Sequence, residues 1–300
     1  MPSILECVPN FSEGKNLKVI DEIADAIQTG STVKLINIHS DADHNRSVFT
    51  ILGEAEPLIN AVFRGTEVAV KRIDLNKHHG THPRIGAADV IPFIPLYQSS
   101  MQEAVRLAVK LAEKIGSELQ VPVFLYGEAT TNIDHKNLAD LRRGGYESLK
   151  TKIGNDPKFI PDFGPKYMGN AGATSVGARP ILIAYNIFLN SNDESAAKII
   201  AKSIRESSGG LPKVQALGML VKDQAQMSMN LLDYQTTSLK TVFLAVEKLA
   251  DAMALHITHS ELVGCLPEAA LKDTSPQDLK ILNFAESCIL ENHFNDLGIY

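Results

Sequence analysis

A strand, a helix, two strands and a second helix follow one another twice along this chain, and any fold must house both copies. In the first copy, apolar residues read as a strand near residues 4–8 and a helix with Leu17, Ile20, Ala24 and Ile27 on one face. Residues 33–38 and 46–52 read as strands around the polar loop 40–45, and Pro57 suits the first turn of a helix over 56–72. In the second copy, residues 181–189 are a strongly apolar strand and a helix runs over 193–206, ended by Ser207-Ser208-Gly209-Gly210. Residues 214–221 and 226–232 read as a hairpin turning at Lys222-Asp223-Gln224-Ala225, and Leu239, Val242, Phe243, Val246 and Leu249 mark another helix. The first half continues past its copy. A strand spans 89–94, Ser100 and Glu103 have capping-box spacing ahead of a helix to about Ile115, and 121–126 is a further short strand. The order repeats although identity between the halves is low. The expectation is therefore an α/β (α+β) chain of two related α/β sandwich subdomains, residues 1–178 and 179–300, each a mixed or antiparallel sheet with helices. Three hundred residues agree with a length prior of roughly two domains of about 150 residues.

The net charge of −6 argues against a general nucleic-acid partner, which needs a basic face, but leaves room for a local basic pocket and an anionic small ligand. No 18-residue apolar run offers a membrane span, and the first residues lack the basic and apolar regions of a signal peptide. Cys7, Cys265 and Cys288 are far apart and odd in number, so a disulfide framework is not expected and a reducing cytoplasm fits. Cys7, within a strand, reads as a small buried hydrophobe rather than a nucleophile.

Chemistry concentrates in Lys77-His78-His79-Gly80-Thr81-His82-Pro83-Arg84-Ile85-Gly86. Glycine and proline rule out a continuous helix or central strand there, so a loop holds three imidazoles near a guanidinium. Neutral imidazole titrates near neutrality, so His82 can accept a proton from an attacking amine and return it to a leaving one. Arg84 can grip a substrate carboxylate with two parallel contacts. The competing reading is a solvated histidine-rich turn. A metal site on His78, His79 and His82 is not expected: the spacing matches no usual zinc signature, and Asp89 would have to fold back to complete it. The loop Asp41-Ala42-Asp43-His44-Asn45 lacks the glycine and terminal glutamate of a calcium loop and reads as a solvated turn, with Asp41 or Asp43 able to orient His82 or a substrate amine. His256 and His259 read as structural or solvated, and no G-x-S-x-G elbow exists.

Between the halves lies the Gly/Pro-rich run from Pro161 to Thr174. It reads either as a linker or as a binding loop whose small residues let backbone groups approach a flat ligand. Its spacing fits neither a P-loop nor a dinucleotide fingerprint.

Several blocks together resemble the glutamate formiminotransferase family. They are Glu6-Cys7-Val8-Pro9-Asn10-Phe11-Ser12-Glu13-Gly14; His78-x-Gly80-x-His82-Pro83-Arg84-x-Gly86-Ala87 running into Asp89-Val90 and Pro92-Phe93-Ile94-Pro95; Pro122-Val123-Phe124-Leu125-Tyr126-Gly127-Glu128-Ala129; and Asp162-Phe163-Gly164-Pro165 with Gly172-Ala173-Thr174 and Gly177-Ala178-Arg179. Asn230-Leu231-Leu232-Asp233 and Leu262-Val263-Gly264 continue the likeness in the second half. The resemblance implies a folate cleft between two α/β subdomains, in a homodimer, and transfer of a formimino group between N-formimino-L-glutamate and tetrahydrofolate in histidine breakdown. It implies tetrahydrofolate as co-substrate, no metal, and His82 as the catalytic residue. It places folate against Gly164, Pro165, Lys166, Tyr167, Met168, Gly169, Asn170, Ala171 and Gly172, with Arg84, Asn10 and Asn45 as further substrate contacts. Lys77, Arg142 and Arg143 are additional candidates for the folate tail. Two positions depart from the pattern expected of animal members: His39 stands where an aspartate is expected, and the loop from Pro165 to Gly172 is about one residue shorter. The chain ends at Tyr300 without room for a fused cyclodeaminase, which would be a separate protein. Two other functions share this scaffold logic: transfer of a formyl group from 5-formyltetrahydrofolate to glutamate, and folate binding without transfer.

Overall fold

A computed structural model describes residues 3–81 and 83–299. In chain order its elements are β1 (Ile4–Cys7), β2 (Asn10–Phe11), α1 (Leu17–Gln28), β3 (Lys34–Asp41), β4 (Arg46–Gly53), α2 (Ala55–Arg72), β5 (Ala88–Tyr97), α3 (Met101–Lys114), β6 (Val123–Gly127), α4 (Leu138–Leu141), α5 (Gly145–Lys152), β7 (Thr174–Ala178), β8 (Ile183–Leu189), α6 (Glu194–Ile204), β9 (Val214–Val221), β10 (Gln224–Leu231), α7 (Leu239–Asp251) and β11 (Ile257–Val263). They form two compact units that divide at Arg179 and Pro180, with Leu297–Ile299 added to the first.

Both units carry the same βαββαβ order, and their sheets are wired alike. In the second unit the strands run β11-β8-β10-β9, all antiparallel. In the first, β5, β1, β4 and β3 stand in the corresponding order, again antiparallel. This is the split βαβ arrangement in which each crossover helix packs on one sheet face. The repeat read from the sequence is thus a repeat of topology. The first unit then extends its sheet beyond β5 with β7 and β6, both parallel to β5. Residues 98–178 form this extension.

Local chemistry fixes the elements. Pro9 breaks the first strand into β1 and β2, which share the partners β4 and β5. Ser100 caps α3 by accepting from the Glu103 backbone N–H, as the spacing predicts. Lys222 and Asp223 both take positive φ, 50° and 58°, and close a two-residue hairpin between Val221 and Gln224, shorter than the four-residue turn expected. In α1 the buried stripe is Val19, Ile20, Ile23, Ala24 and Ile27, while Leu17, expected on that face, is 65% exposed at the first position. In α7, Ala250 joins Leu239, Val242, Phe243 and Val246 in the buried stripe, and Leu249 is only partly buried.

The core of the first unit lies between the helices and one sheet face, with Leu5, Cys7, Phe49, Ile51, Ile91, Phe93, Val176 and Ala178 pointing into it. The opposite face carries the alternate residues, Glu6, Asn10, Thr50, Leu52, Ile94, Ser175 and Arg179, by strand register.

Candidate functional site

The sheet of the first unit collects the candidate loops at one end. β5 and β7 are parallel neighbours, with Val90 beside Ser175. The histidine loop leads into β5 and the Gly/Pro-rich loop leads into β7, so both enter the sheet side by side. β2 runs antiparallel to β5, which brings Ser12–Gly14 to the same end, and the turn between β3 and β4 brings Asp41–Arg46 there too.

The two loops join by backbone contact. Ala87 N donates to Ala171 O at 2.8 Å, and Ala173 N donates to Ile85 O at 2.9 Å. Glycine is required at this crossing. A side chain on Gly86 would overlap the Ala173 carbonyl, and one on Gly172, at φ +75°, would overlap the Ile85 carbonyl. Farther out, Leu75 N donates to Asn170 O at 2.8 Å and Asn76 Nδ2 to Asn170 Oδ1 at 3.1 Å. The Tyr146 hydroxyl and Lys150 Nζ donate to Asn76 Oδ1 at 2.9 and 3.1 Å, closing a clamp on the loop. Within the loop Met168 is buried and pins it to the core, whereas Tyr167 is 68% exposed.

The histidine loop is braced from the other side by Asn45. That residue sits at φ 48°, accepts from Gly14 N at 3.0 Å through Oδ1, and donates from Nδ2 to His79 O at 2.9 Å. Both ends of its amide are therefore occupied internally. Asn10 Nδ2 donates to Val8 O at 3.0 Å. Asp41 accepts from His44 Nδ1 at 3.2 Å and from the Asp43 and His44 backbone N–H groups at 2.8 Å. Burial raises the Asp41 pKa, but these bonds outweigh it and hold the carboxyl well below the usual range. Asp41 thus braces its own turn. Asp43 O accepts from Thr81 N at 3.2 Å, one position before the third histidine in the sequence. That third histidine, His82, lies outside the described residues.

His78 and Arg84 are side by side. Arg84 Nε donates to His78 Nδ1 at 3.0 Å, so the ring proton resides on Nε2, which donates to Asn45 O at 2.9 Å. With both nitrogens engaged, His78 is a structural imidazole. Burial, with the Arg84 charge added, holds its pKa below the ordinary histidine range. The Arg84 fork meets Glu147, with Nη1–Oε2 at 3.1 Å and Nη2–Oε1 at 2.9 Å. The two-pronged carboxylate contact expected of Arg84 is present, and an internal carboxylate fills it. Hydrogen bonds from Arg84 pull the Glu147 pKa down. Nothing in the sequence flags Glu147, which is 63 positions away.

Asp89 folds back, as the metal reading required, but onto protein groups. It accepts from Ile85 N at 2.7 Å and from Arg142 Nη2. Arg142 is consequently committed to a buried pair, and Arg143 pairs with Asp140 at 2.6 Å. Lys77 faces Asp74 at 3.8 Å. Among the described residues no group of three or more His, Cys, Asp and Glu side chains is placed to hold a metal ion. Ser12, His44, Asn45, Arg46, His78, Arg84 and Asp89 line a narrow gap at this end that is too small to admit a water. In the second unit, His259 stacks on Phe188 with centroids 4.3 Å apart.

Comparison with known proteins fits this architecture. The model of the formiminotransferase domain, N-terminal subdomain, matches residues 4–179, and that of the formiminotransferase domain matches residues 184–283. This chain belongs to the formiminotransferase family. The glutamate formimidoyltransferase of Thermoplasma acidophilum is 43% identical over 293 residues, 96% of either chain. That of Streptococcus pyogenes serotype M1 is 39% identical over 297 residues, 98% of this chain and 99% of the relative. The formimidoyltransferase-cyclodeaminase of Sus scrofa is 42% identical over 284 residues; there this formiminotransferase spans 92% of its own length but only 52% of the relative. Its family implies tetrahydrofolate as co-substrate. No helix among the described residues is long and apolar enough to cross a membrane.

Proposed function

We propose that this formiminotransferase moves the formimino group between N-formimino-L-glutamate and tetrahydrofolate, giving 5-formiminotetrahydrofolate and L-glutamate, a folate-dependent one-carbon step of histidine breakdown. Full-length likeness to glutamate formimidoyltransferases supports the activity. One arrangement supports the site: the histidine loop and the loop 164–172 are hydrogen-bonded to each other where they enter adjacent parallel strands. A one-carbon donor and its amine acceptor must meet within bonding distance, and this crossing puts an imidazole-bearing loop against a small-residue loop suited to a flat ring.

The reaction is addition and elimination at an amidine carbon. N5 of tetrahydrofolate attacks the formimino carbon, a tetrahedral intermediate forms, and the amine of glutamate leaves. His82 takes the proton from the incoming nitrogen and delivers it to the departing one. Residues 164–172 hold the folate, with Tyr167 exposed to stack on an aromatic ring. Arg84 receives a substrate carboxylate by exchange with Glu147, whose side chain is 65% exposed and free to swing away. Asn10 and Asn45 shape the pocket beside it. The N-terminal subdomain is taken as residues 1–178 and the C-terminal as 179–300. The working state is a homodimer, and three free cysteines suit a reducing cytoplasm. The deciding assay gives the protein formiminoglutamate with tetrahydrofolate and, separately, 5-formyltetrahydrofolate with glutamate. Faster turnover of the formimino donor is expected; no formimino transfer would refute the reading.

A further inference from the structure

The face of the first sheet that points away from the helices holds polar groups that folding has dried but not paired. Thr50 on β4 and Ser175 on β7 are each 0% exposed, and neither hydroxyl has a hydrogen-bond partner among the described residues. Glu6 on β1 is 5% exposed, and among the described residues no hydrogen bond reaches its carboxyl. All three lie on one face by register: Glu6 stands opposite Leu52 and Ile94, Thr50 is two residues from Leu52, and Ser175 is beside Val90. Val90 and Ile94 are four residues apart, so Glu6 lies about 13 Å farther along the direction of β5 than Ser175. Beyond Glu6, across β5, stands Arg179, whose guanidinium bonds to Tyr126. The Tyr126 ring lies flat over Gly177, where any side chain would collide with it.

Buried polar groups are ordinarily hydrogen-bonded, because leaving them dry and unpaired is costly. Two such hydroxyls, on the face that also carries the nearly buried Glu6 carboxyl, point to a polar ligand that supplies the missing partners. A carboxyl accepts best from two N–H groups held in parallel, the edge of an amidine. We infer that Glu6 is the binding residue for an amidine edge, N–C–N with two N–H donors, on the sheet face that also carries Ser175 and Thr50. Two parts of the reactants carry that chemistry: the formimidoyl group of formiminoglutamate and the 2-aminopyrimidinone of the pterin. The assignment rests on the reaction proposed above. Burial raises the Glu6 pKa to about 7 against the pull of Arg179, so the group reaches its ligand partly protonated. The other titratable groups around it, Cys7 and Tyr126, are both pushed up by burial and stay neutral.

The test is binding by calorimetry to wild type and Glu6→Gln, with tetrahydrofolate, formiminoglutamate and, as a ligand without an amidine edge, p-aminobenzoylglutamate. Glutamine keeps the shape of the protonated acid but loses one acceptor and the charge. Binding of at least one amidine ligand is expected to weaken about ten- to a hundredfold, with p-aminobenzoylglutamate unchanged. Loss confined to tetrahydrofolate assigns the pterin, and loss confined to formiminoglutamate assigns the formimidoyl group. Wild type gives a second reading that needs no variant. The amidine ligands, and not p-aminobenzoylglutamate, release protons on binding at pH 6.5, seen as a dependence of the heat on buffer ionisation. Wild-type affinities in the variant, or equal proton release with all three ligands, overturn the Glu6 assignment and leave the reaction standing. Absence of transfer by the wild type overturns both.

Discussion

Gly172→Ala is the sharpest probe of the crossing between the two loops. The residue has φ +75°, and its added methyl would overlap the Ile85 carbonyl and press on Gly86 Cα. Holding alanine in the left-handed region costs about 1 kcal/mol. Relieving the overlap means parting the loops, which loses the bonds Ala173 N to Ile85 O and Ala87 N to Ala171 O, about 1 kcal/mol each. The sum is about 3 kcal/mol, or a fall in Tm of roughly 6–12 °C for a unit of this size. The natural control lies three residues away. A methyl added at Gly169 would meet nothing within 4 Å, and that position needs no left-handed backbone, so Gly169→Ala should match wild type in Tm. Because the parted loop must re-dock to hold folate, the KM for tetrahydrofolate in Gly172→Ala should rise about tenfold if half the cost is relieved by detachment. Thermal melts and steady-state kinetics on the two variants decide it. A Gly172→Ala protein that melts with its control and keeps the KM for tetrahydrofolate would refute the claim that this crossing builds the site.

His82→Ala should lower turnover of formiminoglutamate and tetrahydrofolate by at least about a hundredfold with Tm unchanged, and equal turnover would remove it as the base. His78 has its pKa depressed in the fold, so between the unfolded value and the lower folded one the unfolded chain binds more protons. Its contribution to stability is therefore present above about pH 6.5 and is lost as pH falls below it. His78→Gln, which can still accept from Arg84 and donate to Asn45 O, should flatten the difference in Tm between pH 5.5 and pH 7.5; an unaltered difference contradicts the assignment. Glu147→Gln weakens the internal partner of Arg84, so the KM for formiminoglutamate should fall several-fold if substrate displaces that carboxylate. A rise would instead make Glu147 a support for Arg84.

Period and capping residues make most of the elements legible. The apolar run of β4 and the Ser100 cap of α3 lie where the residues put them, because each depends on neighbours a few positions away. Leu17 fails for the same reason: it has helical spacing, but it is the first residue of α1 and the turn that would cover it does not exist. The histidine loop and the loop 164–172 are each visible as unusual composition. Their union is not, since it follows from β5 and β7 being parallel neighbours, a pairing between residues 85 positions apart. The partners of Arg84 and Asp89, Glu147 and Arg142, come from α5 and the residues just before it and carry no local signal. Glu6 stands at the head of a family-like motif, but that its carboxyl is nearly buried on the face away from the helices depends on the register of three strands.

The parallel strands grafted beyond β5 bear on how such a fold acquires chemistry. The six-element motif has two border strands in each copy, β5 and β3 in one, β11 and β9 in the other. Only the first of these borders is extended, and residues 98–178 supply the loop 164–172 and the Arg142 guanidinium that pairs with Asp89. The two halves are alike in the six-element motif and differ in this annex, so the candidate site straddles both: the histidine loop belongs to the shared ground plan and the loop 164–172 to the storey set beside it.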